Sequence, residues 1–193
     1  MRKKMKKMTL SELEDTFQIV DKQEQTLYIG GRQYRLYNDG RVEFIQGTEN
    51  EDRALVSECG NTISLPPRVG GILRHNSQGL NNINSIIPLS KYDGKEIFNF
   101  VAHYSNVEWA MAIKKCGAAL LWTDQRYDRV GMIANPNIKY MVHSHPTYDF
   151  YSCGDRIFAG INPGMTHVLW HNGQFRNFNG AGWTDENWRD RLF

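Results

Sequence analysis

The stretch His143-Ser144-His145-Pro146-Thr147-Tyr148-Asp149-Phe150-Tyr151-Ser152-Cys153-Gly154-Asp155 decides how the rest of the chain is read. Two histidines at i and i+2 point the same way from one strand. Proline directly after the second has no N–H for a ladder, so the strand should stop there. Asp155 opens an apolar run, Ile157-Phe158-Ala159, and Ser152 precedes it by three residues. Ser-x-x-Asp ahead of an apolar run has the form of a helix start. The segment reads as strand, loop, helix, with ligand-type side chains at both edges of the loop. Two imidazoles and one carboxylate are the protein ligands of a catalytic zinc site, whose fourth position is left for water.

Outward from this stretch the pattern stays regular. Ile97, Phe98, Val101 and Tyr104 recur at helical spacing, and Asp93 is placed to cap that helix. Asn106 to Ile113 reads as a strand. Cys116 to Thr123 reads as another, so apolar that a central place in a sheet is expected. Val130 to Ala134 and Lys139 to His145 follow as strands around Asn135-Pro136-Asn137. The helix from Asp155 to Ile161 should stop at Pro163-Gly164. Thr166 to Trp170 and Gln174 to Phe178 form a hairpin across Asn172-Gly173. Residues 183–193 read as a last short helix capped by Thr184. Helix, strands, helix, strands predicts an α+β fold, a mixed sheet with flanking helices.

His-Ser-His-Pro followed by Ser-x-x-Asp resembles the signature of the JAMM (JAB/MPN) superfamily of zinc metalloproteases. That signature also carries an upstream glutamate, which matches at Glu108 in Asn106-Val107-Glu108-Trp109-Ala110-Met111-Ala112-Ile113. The resemblance covers about residues 92–180, roughly half the chain, and is nearest to short bacterial members associated with secreted or toxin proteins. It implies an MPN-like core with zinc (Zn2+) on His143, His145 and Asp155. It implies that Glu108 acts as general base and that Ser152 donates to the oxyanion. Nine residues, Pro146 to Gly154, separate His145 from Asp155, one fewer than the family pattern. The shortfall lies in the loop before Ser152, since loops absorb deletions. It makes Asp149 a rival acidic ligand, as Glu96 is a rival base. Glu96 reads as a helix-surface residue and Ser144 faces away from the ligands. His167, His171 and His103 read as ordinary core or surface histidines, Trp109 and Trp170 as core.

Composition narrows the alternatives. With 193 residues, 40% hydrophobic and 12% aromatic, the chain can bury a core. A net charge of +2, with five basic residues in the head Arg2-Lys3-Lys4 and Lys6-Lys7, gives no reason to expect nucleic acid. Cys59, Cys116 and Cys153 are too few and too scattered for a disulfide framework, and fit a reducing compartment or buried thiols. No apolar run reaches membrane-span length. The basic head lacks the apolar stretch of a signal peptide, so the expected location is cytoplasmic, or outside by another export route.

Residues 1–90 read as an N-terminal extension to a metallohydrolase core at 91–193. Residues 9–25 suggest a short amphipathic helix. Gly30-Gly31 loosely resembles a double-glycine leader, but the flanking alternation favours a β-hairpin over 26–46 turning at Asp39-Gly40. Residues 47–60 read as a loop with one helical turn at Arg53-Ala54-Leu55-Val56. Residues 60–90, with Pro66-Pro67 and Gly70-Gly71, read as an irregular linker. The expected function is a zinc-dependent peptidase or isopeptidase, a bacterial effector or toxin domain being one setting. A peptide or protein would be its substrate, and an immunity or regulatory protein a further partner. The alternative is a non-catalytic MPN-like protein-binding scaffold.

Overall fold

The computed structural model describes residues 32–47, 53–65, 84–86 and 90–184. Its strands are β1 (Arg32–Leu36), β2 (Val42–Gln46), β3 (Arg53–Ser57), β4 (Thr62–Leu65), β5 (Asn84–Ile86), β6 (Ala110–Lys114), β7 (Ala119–Thr123), β8 (Ile138–Ser144), β9 (Thr166–His171), β10 (Gln174–Asn179) and β11 (Gly182–Trp183). Helix α1 (Lys91–His103) lies between β5 and β6, and α2 (Cys153–Ile161) between β8 and β9. One sheet runs β2-β1-β3-β4, the other β11-β10-β9-β8-β6-β7-β5. Each mixes directions, with β1 parallel to β3 and β8 parallel to β9. The fold is α+β with two mixed sheets.

Strand alternation sorts the large sheet into two apolar faces. Met111, Ile113, Val142, Val168 and Trp170 pack with Ile97, Phe98 and Val101 of α1. Ala110, Ala112 and Met141 face the other way, with Trp122 and Met165. Leu169 meets Ala159 of α2 on this second face. Tyr34, Leu36, Val42, Leu55 and Leu65 of the small sheet belong to the same buried cluster as α1. The two sheets therefore share one core through the helix.

Several local features depart from the sequence expectations. Ser90, not Asp93, is the N-cap of α1: its Oγ accepts the Asp93 N–H, while Asp93 sits in the first turn and takes the Ser90 hydroxyl proton at 2.7 Å. Arg53 to Val56 is strand rather than helical turn, because β3 pairs on both sides inside the small sheet. Within the expected linker, β4 closes on β3, and β5 adds an edge to the large sheet beside β7. That edge partner leaves β7 one strand from the margin, and the middle place belongs to β8.

Asn106 to Trp109 lies outside β6, since its backbone is tied elsewhere: Asn106 N–H donates to Asn38 O and Glu108 N–H to Arg126 O. Val130 to Ala134 is not a strand. Gly131 instead gives its N–H to Asp124 Oδ2 and accepts from Trp122 Nε1. The three cysteines are exposed, against the buried-thiol alternative. The turn at Asn38 to Gly40 joins β1 and β2 where expected. Residues 9–25, Gly30-Gly31 and the helix expected beyond Thr184 fall outside the described residues. Among the described residues, no helix is long and apolar enough to cross a membrane.

Candidate metal centre

Strand β8 ends at Ser144, immediately before His145-Pro146. His143 lies opposite Ala110 on one side and Leu169 on the other, so its ring emerges on the face covered by α2. His145 N–H donates to Trp170 O, which extends the parallel ladder by one bond beyond the strand. His171 Nδ1 lies 2.8 Å from His145 O. A carbonyl only accepts, so Nδ1 carries the proton, and Asn172 Nδ2 donates to the bare Nε2 at 3.0 Å. The backbone of the second histidine is thus held from both sides by β9 and its turn.

Between the two histidines Ser144 turns to the opposite face. Its Oγ accepts the Trp109 N–H at 2.9 Å, and its own N–H donates to Trp109 O. Trp109 Nε1 in turn donates to Ser105 Oγ, and Ser105 to Val101 O. This buried chain ties β8 to the segment that carries Glu108. Thr123 Oγ1 donates to Glu108 O at 2.6 Å, which fixes that residue's backbone from β7.

Asp155 comes from the first turn of α2. Ser152 is the N-cap, and the pair forms a reciprocal capping box. The Asp155 carboxylate takes the Ser152 N–H at 2.6 Å and still faces both imidazoles. Oδ1 is 3.3 Å from His143 Nε2 and Oδ2 is 3.5 Å from His145 Nε2. Glu108 Oε1 stands 3.6 Å from His145 Nε2. His143, His145, Asp155 and Glu108 are all buried. The structure therefore assembles the histidines with Asp155 and Glu108. Asp149 is 65% exposed and pairs with Arg176 instead, and Glu96 is exposed on α1. Trp109 and Trp170 are core, as expected.

The donor set fits a metal ion. One ligand atom from each of His143, His145 and Asp155 can be chosen so that all lie within 4.8 Å of one another. Zinc–ligand bonds of about 2.0–2.2 Å place tetrahedral neighbours about 3.3–3.5 Å apart, close to the two carboxylate–imidazole distances. Both nitrogens of His143 and Nδ1 of His145 are buried without a hydrogen-bond partner. Buried polar atoms are rarely left so, and a cation held beside Asp155 would complete His143 Nε2.

Electrostatics separate the two carboxylates. Burial pushes Glu108 up to about 8, and the charges of Asp155 and Asp128 add to it, against a hydrogen bond from the Val130 backbone. Burial acts on Asp155 in the same direction. The close approach of the His143 and His145 imidazoles and the Ser152 N–H outweigh it and hold Asp155 below the usual carboxylate range. One carboxylate is thus committed to the ionised form beside the histidines. The other is poised to take or release a proton.

Three neighbours carried no sequence signal strong enough to single them out. Tyr148 packs its ring on His145, with centroids 4.6 Å apart. Phe178 sets its edge against His143 and stacks on Tyr151. Asp128 acts on Glu108 through space. Tyr148 lies inside the motif and was within reach of a reading that gave weight to aromatic loop residues. A cavity of about 400 Å³ lined by Glu96, His103, Tyr104 and Trp170 contains none of the site residues. Comparison with protein-family models, curated proteins and solved structures finds no match for this chain.

Proposed function

We propose that this protein is a zinc-dependent peptidase or isopeptidase of JAMM type, with an MPN-like core in residues 91–193. One observation carries the reading. Two imidazoles and a carboxylate converge in a buried cluster, and a second carboxylate of opposite proton preference stands 3.6 Å from one imidazole. His143, His145 and Asp155 would hold zinc, which when bound would polarise an amide carbonyl and bring the pKa of water toward neutrality.

The chain's own groups supply the rest. Glu108 takes a proton from the attacking water and delivers it to the amine nitrogen as the C–N bond breaks and the new C–O bond remains. A base of this kind works best with a pKa near the operating pH, and burial places Glu108 on the high side of that value. A cation beside it favours the ionised form and brings it down. Ser152 accepts the Asp155 N–H through its oxygen, which leaves its hydroxyl proton to donate to the substrate oxygen. The pairs holding Trp109 to Ser144 and His171 to His145 keep base and ligands in fixed relation.

The test is hydrolysis of peptide and isopeptide libraries by the zinc-loaded protein, read by mass spectrometry. The expected result is cleavage that a chelator abolishes and added zinc restores. A zinc-loaded protein that cleaves nothing in either library is the behaviour of the binding scaffold and contradicts the enzyme.

A further inference from the structure

Tyr148 stands in the loop between Pro146 and the Ser152 cap. Its ring tilts 55° against the His145 ring. Both histidines are covered, at 1% and 2% exposure, yet Tyr148 keeps 42%. It leans on the His145 ring and stays partly in solvent. Its hydroxyl makes no hydrogen bond among the described residues. It is an unspent donor beside the site.

We propose that Tyr148 is a further catalytic residue, whose hydroxyl donates a hydrogen bond to the substrate's amide oxygen as that oxygen gains negative charge. This rests on the hydrolase reading above. Contact with His145 holds the ring beforehand, so the donor is placed at little cost during reaction. Phe150 is also exposed in the same loop, at 58%, but has no hydroxyl to give. Tyr148 and Ser152 then supply donors from the same loop, one from its middle and one from its end.

The experiment compares full-length wild type, Tyr148→Phe and Tyr127→Phe, each loaded with zinc. Phenylalanine keeps the ring on His145 and removes only the donor. Tyr127, 68% exposed, serves as the control tyrosine. Zinc affinity is measured first, then the affinity for acetohydroxamate, a small zinc-binding anion rich in oxygen acceptors. Tyr148→Phe should change zinc affinity by less than about twofold and weaken acetohydroxamate about tenfold. On a cleaved amide it should lower kcat about a hundredfold with KM little moved. Tyr127→Phe should change none of these. Equal acetohydroxamate affinity in wild type and Tyr148→Phe would overturn the role of Tyr148 alone. A wild type that holds no zinc would overturn the metal reading and this inference with it.

Discussion

The Asp155 carboxylate serves Ser152 and the two histidines at once: Oδ2 accepts the Ser152 N–H at 2.6 Å while Oδ1 lies 3.3 Å from His143 Nε2. Helix capping and the approach to the two histidines are one arrangement. Asp155→Ala should therefore lose metal binding and also about 0.5–2 kcal/mol of stability from the cap. Asp149→Ala, which removes a solvent-exposed partner of Arg176, should leave zinc content unchanged. Elemental analysis and urea unfolding read the two effects separately. Metal loss in Asp149→Ala alone would reassign the ligand.

Ser144 does no chemistry in this account, yet it should matter for stability. Its Oγ is the acceptor for the buried Trp109 N–H. Ser144→Ala strands that donor, at a cost of about 1–3 kcal/mol. Urea unfolding checks the loss, and zinc stoichiometry of the folded variant should equal that of wild type.

Glu108 predicts a pH dependence with a definite sign. Its folded-state value is about 8 against 4.5 ordinarily. The metal-free folded protein thus keeps a proton that the unfolded chain releases. That contribution to stability is fully present below about pH 4.5 and lost as pH rises through about 8. Asp155, held low, acts elsewhere: its contribution is present above its ordinary 3.8 and lost on further acidification. Between pH 5 and 9, metal-free wild type should therefore lose stability relative to metal-free Glu108→Gln. Parallel curves for the two proteins would contradict the assignment. The zinc-loaded variant should keep its metal and lose about 10²–10⁴-fold in hydrolysis.

Helix α2 approaches the turn after β10 so closely that a Cβ on Gly180 would lie 2.8 Å from Gly160 Cα. Both atoms belong to backbone, so neither yields without moving the helix that carries Asp155. Gly180→Ala should cost about 1–3 kcal/mol and weaken zinc binding as well. Gly164→Ala, with nothing near its Cβ, is the matched control. Calorimetric unfolding and zinc titration of the pair check this.

The site was more legible than the fold. The candidate ligands and Ser152 lie on one strand-loop-helix unit, where local rules of alternation, proline exclusion and capping apply directly. Glu108 was placed through the resemblance, and the structure sets it beside His145 although it precedes β6 instead of opening it. The small sheet was half-missed for a physical reason. β3 lies among acidic and amide residues, and its strand form comes from pairing with β1 and β4, which no local pattern reveals. Val130 to Ala134 failed the other way: its apolar run suggested a ladder, but Asp124 and Trp122 take the Gly131 backbone groups. The cap of α1 shows the ambiguity of Ser90-x-x-Asp93, in which both residues bond and only the backbone conformation at Ser90 tells which is the cap.

The central claim is a metal ion on His143, His145 and Asp155. Protein purified without added metal, then loaded with zinc and freed of excess, should contain about one zinc per chain. His145→Ala, prepared alongside, should contain almost none while remaining folded by circular dichroism. Equal zinc in both proteins, or none in the wild type, would contradict the account.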